Sequence, residues 1–173
     1  DEMRLVKDST EIATMRRAAE ISAGAHRRAM RTARPGAFEY EVEAELIHEF
    51  RRHGSQAPAY TSIVASGPGA CVLHYIENDR QMQDGELLLI DAGCELDGYA
   101  SDITRSFPVN GRFSGPQKAV YELVLAAQAA AIAEIRPGAS WNAGHDAATR
   151  VLTQGFIDLG LIKGSLDDAI ESG

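Results

Sequence analysis

Asp97-Gly98 is the dipeptide that most narrowly limits what this chain can fold into. Asp-Gly favours a two-residue type I′ turn, whose twist suits an antiparallel hairpin. It stands between Leu87-Leu88-Leu89-Ile90-Asp91-Ala92-Gly93 and Tyr99-Ala100-Ser101-Asp102-Ile103-Thr104-Arg105, both readable as strands. A two-residue loop sets the register, so Asp102 faces Gly93 and Asp91 faces Thr104. Positions 91 and 93 share one side of the pleat. Both carboxylates therefore project from the same face as diagonal neighbours, about 7–8 Å apart between backbones. Asp is depleted in strands and costly to bury unpaired, and like charges so placed repel unless a cation lies between them. Hard divalent ions prefer oxygen ligands, and paired metals in hydrolytic sites lie about 3.5–4 Å apart. Asp91 and Asp102 thus read as half of a metal site whose other ligands come from elsewhere.

The rest of the chain supplies helices and shorter strands. A first helix is expected over 9–33, opened by a capping box of Asp8 and Glu11, with Ile12, Met15, Ala19, Ile21, Ala25 and Met30 as its apolar stripe. Arg34-Pro35-Gly36 ends it. A second helix spans 39–52, with Val42, Leu46, Ile47 and Phe50 inward and Gly54 as its stop. Residues 60–65 and 72–75 read as strands, separated by a turn at Ser66-Gly67-Pro68-Gly69. That glycine-rich turn lacks the Lys-Ser/Thr ending of a phosphate loop and has no helix after it, so it is read as structural. A third helix is expected from a Ser114 cap, with Gln117 closing the box, to Ile135. Arg136-Pro137-Gly138 stops it, and a fourth covers 140–159. Helix, Arg-Pro-Gly, helix therefore occurs twice, but strands follow only the first copy. An incomplete ligand set and an incomplete repeat both mark the chain as a fragment.

Composition narrows the function classes. The formal net charge of −8 disfavours a nucleic-acid or anionic-membrane surface. Arg16-Arg17, Arg27-Arg28 and Arg51-Arg52 are read as solvated helix faces. The two cysteines fit a reducing compartment better than a disulfide scaffold. With no membrane-length apolar run and no signal-peptide core, a cytoplasmic protein is expected. Cys94 falls on the opposite face from Asp91, and a soft thiolate suits a hard divalent ion poorly. His26, His48, His53 and His145 fall on helices or helix ends and are read as structural or solvent-facing.

Glu39-Tyr40-Glu41, Leu73-His74-Tyr75, Leu89-Ile90-Asp91-Ala92-Gly93 and Ser101-Asp102-Ile103-Thr104-Arg105-Ser106-Phe107-Pro108 together resemble aminopeptidase P, the Xaa-Pro aminopeptidase family. The resemblance runs from about Arg4 to near the C-terminus and includes Asn110-Gly111-Arg112-Phe113-Ser114. It implies an α+β pita-bread fold of the creatinase/aminopeptidase type, a curved antiparallel sheet flanked by helices. Residues 1–173 would be the N-terminal half of the catalytic domain, without the family's preceding domain. It also implies two divalent metal ions, manganese first and zinc or cobalt as alternatives. Asp91 would bind one ion through both oxygens and Asp102 would bridge the pair. The family's remaining ligands, a His in an HGxSH-type segment and two Glu, are not in this sequence.

The same resemblance makes His74 and Tyr60 substrate-site residues, His74 donating to bound peptide and Tyr60 orienting a carboxylate beside the metals. The implied reaction is hydrolysis of the bond between an N-terminal residue and a penultimate proline, by a water that the two metals activate. No general acid or base falls within this chain, because the family's proton acceptor is a Glu of the other half. The implied partners are a peptide with penultimate proline, the complementary C-terminal half, and further copies in a homo-oligomer. Nucleic acid and membrane are excluded, and the isolated chain is expected to be inactive. The alternatives are a prolidase or methionine aminopeptidase on the same fold, and a non-catalytic module that binds peptides or proteins. Gly69 stands where the family commonly has Asn, and Ser106 replaces the usual Thr.

Overall fold

The computed structural model describes residues 4–172. They form two compact units, divided between Arg112 and Phe113.

In the first unit, α1 (Ser9–Thr32) starts at the expected capping box. Asp8 Oδ1 accepts from Thr10 N–H at 2.8 Å and Glu11 N–H at 2.9 Å, and Glu11 accepts from Asp8 N–H at 2.7 Å. The buried stripe differs from the expected one: Ala18, Ile21, Ser22, Ala25, His26 and Ala29 are buried, whereas Ile12, Met15 and Met30 remain exposed. Ile21 and Ala25 belong to both sets, and four of the six buried residues, Ala18, Ser22, Ala25 and Ala29, are small. Helix α2 (Glu39–Arg52) has the expected bounds. Val42, Leu46 and Phe50 point inward, while Ile47 stays exposed.

Six short strands follow: β1 (Ala57–Pro58), β2 (Ile63–Ser66), β3 (Leu87–Ala92), β4 (Cys94–Leu96), β5 (Tyr99–Ala100) and β6 (Ile103–Pro108). They form two antiparallel three-stranded sheets, ordered β1-β4-β5 and β2-β3-β6. One long hairpin from Leu87 to Pro108 runs through both. Its tip is the Asp97-Gly98 turn, with φ of 51° and 84°, the double positive φ of type I′. Leu96 pairs with Tyr99, Asp91 with Thr104 and Leu87 with Pro108, which is the register the turn predicts.

Strand alternation separates core from site. Leu88, Ile90 and Ala92 are buried with Val64, Met82 and Cys94 among the apolar residues of α1 and α2. Burying a side chain such as Leu88 or Ile90 stabilises by about 1.5–3 kcal/mol. Leu89 and Asp91 lie on the opposite face, half-exposed.

Two expected strands change. The strand expected from Tyr60 begins at Ile63 and leaves Tyr60 in a bend. Residues 72–75 are not a strand: a short 3-10 turn at Gly67–Cys71 leads into a turn holding His74 at a φ of 56°.

The second unit contains α3 (Gly115–Ala133), α4 (Ala143–Asp158) and α5 (Leu166–Glu171). Ser114 and Gln117 form the expected box. Helix α4 starts three residues later than expected, and α5 has no sequence-based counterpart. The two proline-containing stops share a left-handed glycine, at a φ of 86° for Gly36 and 83° for Gly138, which gives the repeat a conformational basis. Among the described residues α3 buries only Ala127 and α4 buries none.

Candidate metal centre

The hairpin brings Asp91 and Asp102 together where its ladder is interrupted, at Gly93 opposite Ser101–Asp102. A side chain at Gly93 would run into the carbonyl of Ser101, so only glycine permits this approach. Ser101 N–H donates to the Cys94 carbonyl at 2.9 Å, and its hydroxyl returns to the same carbonyl at 2.9 Å. From α1, Ser22 Oγ meets Ser101 Oγ at 2.7 Å and accepts from Cys94 N–H at 2.9 Å. Cys94 Sγ turns away from the carboxylates toward the Ala18 carbonyl, 3.4 Å away. A buried polar knot thus fixes the strand crossing from behind, leaving both carboxylates in front.

Tyr60 completes the arrangement. Ala59 N–H donates to the Gly93 carbonyl at 2.8 Å, placing the next residue at the break in the hairpin. The Tyr60 hydroxyl lies 2.5 Å from Asp91 Oδ1 and 2.9 Å from Asp102 Oδ1. Burial, followed by these two hydrogen bonds, pushes the phenol well above its ordinary pKa. It stays protonated, but with a single proton it can donate to only one carboxylate at a time. Two anionic groups therefore converge on one neutral donor. This suits a cation, and the oxygen donors suit a hard divalent ion. Among the described residues no cluster of three or more acidic, His or Cys side chains surrounds the position. Asp91 and Asp102 fit as two ligands of a larger set.

Beside Asp91 the first unit has an open cleft of about 330 Å³. Its walls include Leu73, His74, Leu89, Asp91 and Thr104. His74 is exposed on this rim and makes no hydrogen bond among the described residues. Sequence reasoning placed it near the hairpin on a strand; the structure places it there on a turn. His26 is buried, with its Nδ1 3.0 Å from the Ser22 carbonyl, while His48, His53 and His145 are exposed. Sequence reasoning missed Ser22, Ser101 and Thr104. Only Ser101 and Thr104 carried a local signal, their positions beside Asp102 and opposite Asp91.

Comparisons with known proteins agree on one family. The sequence pattern described as metallopeptidase family M24 matches residues 13–167. The Xaa-Pro aminopeptidase of Haemophilus influenzae is 55% identical over 170 residues, covering 98% of this chain and 40% of that protein. The Xaa-Pro aminopeptidase of Escherichia coli is 50% identical over 169 residues, with coverages of 98% and 38%. Among solved structures, the Pseudomonas aeruginosa aminopeptidase PepP superposes with a TM-score of 0.97 at 58% identity, covering 98% of this chain and 38% of its own. A zinc-substituted E. coli aminopeptidase P in complex with product gives 0.96 at 49% identity, with coverages of 98% and 39%. The chain thus spans about 40% of the length of these relatives. Its mixed helix and antiparallel-sheet architecture is that of the first half of the pita-bread fold.

Proposed function

The chain belongs to metallopeptidase family M24, and from that premise we propose that it supplies the near side of a Xaa-Pro aminopeptidase active site. Residues 1–173 then form the N-terminal half of a catalytic domain, whose other ligands and proton acceptor come from chain outside this sequence. The observation that carries the reading is the convergence of Asp91 and Asp102 on the Tyr60 hydroxyl, at 2.5 and 2.9 Å.

In this reading Asp91 and Asp102 hold two divalent ions, manganese first, with zinc or cobalt as substitutes. Tyr60 lies within hydrogen-bond distance of both carboxylates and restrains whichever one receives its proton. A ligand held by an outer hydrogen bond loses less freedom on binding. His74 reaches the peptide from the cleft rim, and Thr104 lies beside Asp91 in the same cleft. When bound, the ions would polarise the scissile carbonyl and lower the pKa of the attacking water. Neither aspartate serves as the acid or base in this scheme, and the isolated chain is inactive. The complete protein is read as a cytoplasmic homo-oligomer acting on peptides with penultimate proline. The net charge of −8 supports independence from nucleic acid and anionic membranes. Among the described residues no helix is long and apolar enough to cross a membrane.

The test uses the full-length protein. Asp102→Ala is expected to abolish divalent-ion binding, measured by calorimetry, together with Xaa-Pro cleavage. Wild-type cleavage by that variant would remove the central claim. Parallel assays with an Xaa-Pro tripeptide, an Xaa-Pro dipeptide and a Met-initiated peptide, with and without manganese, separate the proposed specificity from prolidase and methionine aminopeptidase activity. Peptide binding without cleavage of any of the three would indicate a non-catalytic module.

A further inference from the structure

Glu39 opens α2 and is fully buried. A buried carboxylate is costly unless its oxygens are satisfied. Here four donors converge on it. Ser66 N–H and Ser66 Oγ reach Oε1 at 2.6 and 2.7 Å, while Tyr75 OH and Arg80 N–H reach Oε2 at 2.8 and 3.0 Å. The Glu39 backbone N–H donates in turn to the Arg80 carbonyl at 3.0 Å. Its place in the first turn of α2 favours a negative charge as well.

These donors are the two ends and the middle of one loop, residues 66–80. The loop is pinned at further points. Arg80 donates to Ser66 Oγ at 2.9 Å and forms a two-pronged pair with Glu86, both contacts at 2.6 Å. Asn78 accepts from Val64 N–H and donates to the Ser62 carbonyl, both at 2.9 Å. Residues 71–74, by contrast, are exposed, and His74 has no hydrogen bond of its own among the described residues. Its left-handed backbone is held by what holds its neighbour. Tyr75 is that neighbour, and burial together with the Glu39 bond pushes its phenol up to about 12, so it remains a donor through the neutral range.

We propose that Glu39 is a positioning residue for the substrate site, acting through the Tyr75 hydroxyl to set where His74 stands on the cleft rim beside Asp91. This deepens, and rests on, the reading of His74 as a substrate-binding residue. A side chain on a loop binds a fixed partner well only if the supporting shell fixes the loop.

The test is a double-mutant cycle in the full-length enzyme, using Tyr75→Phe because it removes one hydroxyl and keeps the ring. The expected result is a loss of about tenfold in kcat/KM toward an Xaa-Pro tripeptide, with metal content unchanged. In a His74→Ala background the same change is expected to cost nothing further. Hydrogen exchange of peptides spanning residues 67–76 should quicken in Tyr75→Phe while the Leu87–Pro108 hairpin keeps its protection. An equal loss in both backgrounds, or unchanged kcat/KM in the single variant, overturns the proposal. If the wild-type enzyme cleaves no Xaa-Pro peptide, the functional reading fails by itself. Exchange then decides the structural claim: unchanged loop protection in Tyr75→Phe shows that Glu39 does not hold His74 through Tyr75.

Discussion

Gly93 shows how a residue with no side chain can shape an acidic site. Its neighbours on the facing strand come so close that any Cβ would run into the Ser101 carbonyl. Gly93→Ala is therefore expected to push the strands apart and destabilise the fold by about 1–3 kcal/mol, the scale of an overpacked core position. Urea midpoints measure that loss, and a metal titration of the full-length variant should show weaker binding alongside it. Asp91, Asp102 and the turn between them were legible because period-two alternation and Asp97-Gly98 act over a few residues. Ser22 was not legible. Its partner Ser101 is 79 positions away, and nothing local marks a helix serine as the group that closes a hairpin from behind.

Elements followed the same division between local and distant causes. The end of α2 and the hairpin register came from a glycine stop and turn chemistry. The segment around His74 did not, because a buried carboxylate on α2 draws Ser66, Tyr75 and Arg80 toward itself and overrides the strand preference of Val72 to Tyr75. The apolar stripe of α1 was right at Ile21 and Ala25 but wrong at Ile12, Met15 and Met30 for a related reason: which face meets its neighbours depends on tertiary packing. The Arg80–Glu86 pair that braces the loop has a testable pH signature. The bond from Arg80 is the largest influence holding the Glu86 carboxyl below the ordinary value of 4.5. The folded state therefore binds this proton less readily than the unfolded chain. The pair's contribution is present at neutral pH and lost as pH falls below about 4.5 through the lower folded value. Glu86→Gln is expected to flatten the acid limb of stability against pH, as read by urea unfolding at about pH 7 and about pH 3.5.

At the scale of the molecule, the two units differ in how much apolar surface they bury. The helices of the first lie against sheet and contribute a continuous core. In the second, Val124, Leu125, Ile132 and Ile135 remain at least half exposed, and Trp141 is 97% exposed. Large exposed apolar patches are characteristic of interaction surfaces. The chain alone is expected to cleave no Xaa-Pro peptide, and its single tryptophan should be open to acrylamide quenching. Adding the complementary segment of the full-length protein should reduce quenching and restore cleavage together; reduced quenching without cleavage would count against this chain's share in the active site. The hairpin that carries both aspartates also bears on the order of assembly. Hairpins close on the order of 1–10 μs, whereas contacts between distant segments wait on the entropy of larger loops. The spacing of Asp91 and Asp102 is thus written into one of the fastest folding events open to the chain. A growing polypeptide would bring Asp91 and Asp102 together once this one hairpin had emerged, without waiting for any contact between distant segments.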